Sequence, residues 1–389
     1  MRPFTVGITF GFSFATVFIL GYFTNDWVST NASTRPSSFE LLDEIQGILD
    51  RNYLRQQPSY TELEYAAAQG MVARLEDKYT FFIEPPVAQS ESDGLAGVYG
   101  GIGVNVMKSE DGRILLFPFN DSPAQLRGIL EGDELVAVND VEVTYEWKQD
   151  ALDQLLRGEV KQGNGVKLKL IRNDNPIDLF IEFAIIEIPS VTWRISDVNN
   201  SILYVQVSRF TSRTPDELKT ALGEFMERNL QAIILDLRNN SGGLLQESVD
   251  IADMFLTGGR IIIERNNTEE KIYGATNPVE ISMDVPMVVL INNNTASAAE
   301  LFAAALQANQ RALVIGQTSF GKGTVQQIYS LSNGASVHVT SAEWFTSDDQ
   351  TIEGVGLTPD VVMIPDENGR DVELGEAIRI LNLALESKN

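Results

Sequence analysis

The sequence predicts an α/β domain with a largely parallel sheet over residues 184–389, preceded by a compact β-rich domain at 95–183 and a helical region at 39–94. Three patterns carry that prediction. Past Pro189, short apolar runs alternate with amphipathic stretches of helical spacing, the order expected of parallel strands joined by crossover helices. Between Leu95 and Phe183 the apolar runs are short, β-rich and bounded by Gly, Asn and Asp turns. From Phe39 onward, Leu41, Leu42, Ile45, Ile48 and Leu49 recur at helical spacing, and Tyr60 to Leu75 repeats the pattern with alanines on one face.

Taken in order, the chain opens with Phe4 to Thr24, which contains no charged residue. As a helix rising about 1.5 Å per residue this segment would span roughly 30 Å, the thickness of a bilayer core. Arg2 precedes it and Asp26 follows, so residues 1–24 are expected to anchor the chain with the remainder on the extracytoplasmic side. A cleaved signal peptide is the competing reading, although Val28-Ser29-Thr30-Asn31-Ala32 makes a mediocre cleavage site. Residues 25–38 are polar and rich in Ser, Thr and Asn, the composition of a linker. In the β-rich region Ile114 to Phe117 and Val166 to Ile171 read as strands. Beyond it the expected strands are Ile202 to Val207, Ala232 to Leu237, Met287 to Ile291 and Leu313 to Ile315. Helices are expected at Thr214 to Arg228, Gln246 to Phe255, Thr295 to Gln307 and Leu374 to Leu385.

Composition removes whole classes of function. With 29 basic and 54 acidic residues the net charge is −25, which repels phosphate backbones, so nucleic acid is not an expected partner. The absence of cysteine excludes disulfides, thiol nucleophiles and thiolate metal sites. The single histidine, His338, sits in the alternating run Ala335 to Thr340, where a side chain on a sheet face is the plainer reading than a catalytic triad member. No metal or other cofactor is expected.

Four stretches carry chemistry. Ser122-Pro123-Ala124, then Gly132-Asp133-Glu134-Leu135 and a strand ending in Asn139-Asp140, give the order turn, short helix, turn, strand, and resemble a PDZ domain. Gly101, Ile102, Gly103 and Val104 stand where such a domain receives a peptide's terminal carboxylate on backbone N–H groups; a turn with no ligand is the alternative. Leu235 to Leu245 runs from a buried strand into Gly242-Gly243, where backbone N–H groups could face a substrate oxygen. Ser297 falls in the first turn of a helix after a buried strand, a place for a nucleophile beside unpaired N–H groups or for a simple cap. Lys322 lies between Gly321 and Gly323; burial there would lower its pKa and leave a neutral amine as base, whereas a surface turn would leave it an ordinary lysine.

In that order, with Gly354-Val355-Gly356-Leu357-Thr358-Pro359-Asp360 downstream, these stretches resemble the carboxy-terminal processing peptidases, or tail-specific proteases, over roughly residues 39–389. The resemblance implies a serine endopeptidase with a Ser-Lys dyad: Ser297 as nucleophile, Lys322 as general base and Gln326 orienting the lysine. It also implies Gly243 and Ala298 as oxyanion-hole donors, with Gly242 an alternative for the first, and a PDZ domain that selects substrates by their free C-terminus. Asn294-Thr295 and Ser241 depart from the family pattern without removing a reacting group. The expected partners are protein or peptide substrates, the membrane, and a second copy of the chain through the helical arms.

Other readings compete. Ser319-Phe320-Gly321-Lys322 fits the Ser-x-x-Lys of penicillin-recognising enzymes, and Gly316 to Lys322 fits part of a phosphate-binding loop, but both lack their partner residues and a following helix. A proteolytically silent PDZ adaptor on the same fold is the alternative from another functional class.

Overall fold

The computed structural model describes residues 39–276, 280–366 and 369–387. The expected anchor at 1–24 and linker at 25–38 lie outside them. Among the described residues no helix is long and apolar enough to cross a membrane. The chain divides into two units, one ending at Glu64 and one running from Tyr65 to the C-terminus. In the first, helix α1 (Glu40–Asn52) carries Glu40 and Asp43 in its first turn and Arg51 in its last, charges matched to the helix dipole. None of its residues is buried, and Leu41, Leu42, Ile45 and Ile48 stay exposed. Helix α2 (Tyr60–Ala73) follows the alanine-rich pattern across the division.

In the second unit, strand β1 (Phe81–Ile83) leads to helix α3 (Pro85–Ala96), which begins with proline at its first position and ends at Gly97 in the left-handed region. The β-rich region then runs β2 (Val98–Gly101), β3 (Val104–Lys108), β4 (Ile114–Pro118), α4 (Pro123–Leu126), β5 (Asp133–Val138), β6 (Val141–Glu142), α5 (Gln149–Leu155), β7 (Gly165–Arg172), β8 (Asn175–Glu182) and β9 (Ala184–Glu187). Its main sheet has the order β3-β4-β5-β7-β8, with β6 paired to β5, and every pairing is antiparallel. The Ser-Pro-Ala signal is the N-terminus of α4: Ser122 Oγ accepts the Gln125 N–H at 3.2 Å. The Gly-Asp signal is a buried anchor, since the Asp133 carboxylate takes the Leu130 N–H at 2.9 Å and the Arg172 guanidinium at 2.7 Å. Ile102, Val106, Leu116, Leu152 and Leu168 form the core of this region.

Beyond β9 come β10 (Val191–Ile195), β11 (Ile202–Val207), α6 (Thr214–Glu227), β12 (Ala232–Asp236), α7 (Leu245–Asp253), β13 (Arg260–Arg265), β14 (Glu270–Gly274) and β15 (Met287–Ile291). They are followed by α8 (Ala298–Ala308), β16 (Leu313–Gly316), β17 (Thr324–Ser330), β18 (Ser336–Thr346), β19 (Val361–Val362) and α9 (Val372–Glu386). The sheet β10-β11-β12-β15-β16-β19 is parallel except for β10. Helices α6, α7 and α8 pack on one of its faces and α9 on the other. Both faces being covered explains why β12 and β15 are apolar at nearly every position.

The expectation of a largely parallel sheet needs correction. A second sheet, β1-β18-β13-β14 with β17 on β18, is entirely antiparallel, and antiparallel pairings predominate over the described residues. Its hairpins arise from short polar turns, Asn266 to Glu269 and Leu331 to Gly334, the latter with Gly334 at φ 85°. Crossover helices govern only the first sheet.

Candidate active site

The C-terminal ends of β12 and β15 deliver two turns to the same place. After β12, Asn240 is fully buried: its side-chain amide donates to Val207 O at 2.9 Å and its Oδ1 accepts the Gly242 N–H at 2.8 Å. The Gly242 N–H is therefore spent, while the bonds that fix the turn, Phe210 N to Gly242 O and Leu244 N to Phe210 O, leave the Gly243 N–H unengaged. This separates the two glycines the sequence left open. Gly243 has φ 140°, and a Cβ there would lie 2.0 Å from Phe210 O, so no side chain fits.

After β15, Thr295 is buried with its hydroxyl on Leu237 O at 2.9 Å, tying this turn to the first. Ser297 follows with φ 56°, a conformation that costs a non-glycine residue about 1–3 kcal/mol and here tilts the serine away from its helix. It stands at the N-cap of α8, with Glu300 at the third helical position. Glu300 reaches back to this N-cap, its Oε2 accepting the Ser297 N–H at 2.7 Å. As the first residue of α8, Ala298 has an N–H with no intrahelical partner.

The third segment is Gln317 to Gly323. Gly321 at φ 87° and Gly323 let the backbone pass against the 352–356 turn, where a Cβ on either would meet backbone at 3.2 Å or less. Gly354 N bonds to Gly321 O at 2.9 Å, so the downstream Gly-Val-Gly-Leu signal is the support of the lysine loop. Lys322 points inward, its Nζ hydrogen-bonded to Gln326 Oε1 on β17, and 5.2 Å from the centroid of the Tyr79 ring. Gln326 Nε2 in turn donates to Tyr79 O. Burial holds the Lys322 amine below the ordinary lysine value, against the fields of Glu91, Glu353 and Glu300, which favour the charged form.

Ser297, Lys322, Gln326, Gly243 and Ala298 thus line one cavity of about 300 Å³. Gly103 and Val104 line a different one, and Ile102 in that cavity donates its N–H to Leu156 O at 3.2 Å, which takes away one of the expected carboxylate donors. Ser319 is buried with its hydroxyl on Glu300 Oε1 and its Oγ accepting the Leu357 N–H at 2.6 Å, so its hydroxyl is engaged as both donor and acceptor, and it does not line the cavity. The segment after Lys322 is strand β17, as the rejection of the two rival motifs requires.

Several participants were missed in the sequence. Glu300 is fully buried and its two oxygens also accept the N–H of Gly321 at 2.7 Å and of Lys322 at 2.9 Å, joining the serine turn to the lysine loop. Tyr79, Glu91 and Arg209 reach the site from distant parts of the chain, with no local signal. His338 is on a sheet face as expected, but it also lines the cavity, stacked on Phe81 at 4.6 Å and bonded to Glu91 Oε2 at 2.9 Å.

The model of "Peptidase family S41" matches residues 201–363. The carboxy-terminal-processing protease of Bartonella bacilliformis is 31% identical, over 82% of this chain and 75% of its own length. A probable CtpA-like serine protease of Staphylococcus aureus is 30% identical over 90% of this chain and 70% of its own. Among solved structures, the photosystem II D1 C-terminal processing protease is 28% identical with a TM-score of 0.51, covering 89% of this chain and 98% of that one. The chain belongs to peptidase family S41, the serine-type peptidases, and within it to the carboxy-terminal processing peptidases.

Proposed function

We propose that this chain is a serine endopeptidase in which Ser297 is the nucleophile and Lys322 its general base. The observation that carries the reading is the half-buried Lys322 amine, aligned by Gln326, in the same cavity as Ser297 and the Gly243 and Ala298 backbone. Neutral Lys322 takes the Ser297 proton as Oγ attacks the peptide carbonyl, and the resulting oxyanion is received by the Gly243 and Ala298 N–H groups. The lysine then protonates the leaving amine, and afterwards activates the water that hydrolyses the acyl-enzyme.

The antiparallel region from β3 to β8 is read as a PDZ domain that selects substrates by a free C-terminus, supported by the free edge of β3 and the adjoining cavity at Gly103 and Val104. The uncharged run Phe4 to Thr24 supports tethering to a membrane with the catalytic unit outside the cytoplasm. The test is the pH–rate profile on an unstructured protein substrate. Cleavage should fall as pH drops through the Lys322 pKa, where the base becomes charged; a flat profile from weakly acidic to alkaline pH overturns the lysine-base assignment.

A further inference from the structure

Among the described residues strand β3 pairs only with β4, so its other edge carries no neighbouring strand. Which backbone groups face that edge follows from the register. Gly103 O accepts the Phe119 N–H at 2.9 Å, and Val104 lies opposite Pro118, which has no N–H. Alternation along an antiparallel pair then turns the N–H and C=O of Val104, Val106 and Lys108 outward, toward α5. An extended peptide whose terminal carboxylate sat on the Gly103 and Val104 N–H groups would run along this edge, with its last residue opposite Val104 and its third from last opposite Val106. The cavity of about 690 Å³ beside Ile102, Leu126, Leu156 and Ile186 would take the last side chain.

One acceptor on that edge is already engaged by the protein itself. Gln149, the first residue of α5, donates its side-chain amide to Val106 O at 3.0 Å, the acceptor a ligand's N–H would need. One step further out, Lys108 Nζ bonds to Tyr145 O at 2.6 Å and to Trp147 O, strapping the end of β3 to the segment before α5. The open cavity includes Gly103 and Val104 but neither Val106 nor Gln149. Gln149 is exposed, so its side chain can swing into water without uncovering any core.

We propose that Gln149 is a length gate on this groove: its amide imitates the N–H of a ligand's third residue from the C-terminus, so a peptide adds to β3 beyond its last two residues only by displacing it. The proposal rests on the reading of this region as a C-terminal peptide groove. Gln149 Nε2 also donates to Asp153 Oδ1 at 3.1 Å, a bond within its own helix that it can keep on leaving Val106 O; at Val106 O one neutral hydrogen bond replaces another, so removing the competitor should tighten binding by roughly 3–10-fold.

The experiment uses the full chain carrying Ser297→Ala, so that ligands survive. A fluorescein-labelled ten-residue peptide ending in leucine is titrated by anisotropy against this protein and against versions that also carry Gln149→Ala or Gln149→Met. Neither replacement has an amide, and Met keeps the side chain's length. Both should bind the peptide roughly 3–10-fold more tightly, and the gain should vanish for a peptide with proline, which has no N–H, third from its end. Equal affinity for the parent and the Gln149 variants, or an equal gain with the proline peptide, overturns the gate while leaving the groove standing. If the C-terminal amide of the peptide binds as tightly as the free acid, or nothing binds, the groove itself is refuted and the gate with it.

Discussion

Replacing Glu300 with glutamine tests the bond network that sets serine against lysine. Its carboxylate accepts from four donors: the Ser319 hydroxyl and Gly321 N–H on Oε1, and the Ser297 and Lys322 N–H groups on Oε2. A glutamine side chain has one acceptor oxygen, so one of these pairs must face an NH2 group. If the NH2 takes the place of Oε1, the Ser319 hydroxyl can turn to accept but the Gly321 N–H is left unpaired. In the other orientation both the Ser297 and the Lys322 N–H groups lose their acceptor. A buried unpaired N–H costs about 1–3 kcal/mol, and bonds to a charged acceptor are worth about 1 kcal/mol more than neutral ones, which puts the total near 3 kcal/mol. In a domain of this size that lowers Tm by roughly 6–12 °C. Because Ser297 and Lys322 both hang from this carboxylate by their backbones, a shift on the order of 1 Å should also cost about 100-fold in kcat. Differential scanning calorimetry and steady-state cleavage of a peptide read the two effects. A Glu300→Gln protein that melts within about 1 °C of wild type and keeps its kcat would refute the network's role.

Two further outcomes follow from the same geometry. Gly243→Ala places a methyl group against Phe210 O and displaces the turn, so kcat should fall about 100- to 1000-fold, with KM for a peptide substrate changing far less. Gln326→Glu keeps an acceptor for the lysine but adds a negative charge beside it, which favours the ammonium form; the acid limb of the pH–rate profile should move to higher pH, and an unmoved limb would dissociate Lys322 from the titration.

What the sequence revealed, and what it did not, divides along physical lines. Buried parallel strands announce themselves as apolar runs, and the glycines at 242–243, 321 and 323 announce backbone that must pass close to other backbone, whereas Ser297 and Lys322 were singled out through the family resemblance. Gln326 was named only through the family resemblance. The second sheet was not legible as a unit, because β1 and β18 meet across more than 250 residues through register alone, Phe81 opposite His338. The same distance hid Tyr79 and Glu91, and Glu300 drew no notice because its partners Ser319, Gly321 and Lys322 arrive from the lysine loop. The Ile102 N–H offered as a carboxylate donor was lost to a carbonyl at the end of α5 that no local pattern foretold.

The dyad itself is tested most directly by comparing cleavage of an unstructured protein by wild type, Ser297→Ala, Lys322→Ala and Ser319→Ala. The account predicts that the first two variants lose about 1000-fold or more in kcat, while Ser319→Ala melts at a lower temperature yet still cuts. Cleavage retained by Ser297→Ala, or abolished in a folded Ser319→Ala while Ser297→Ala remains active, would contradict it.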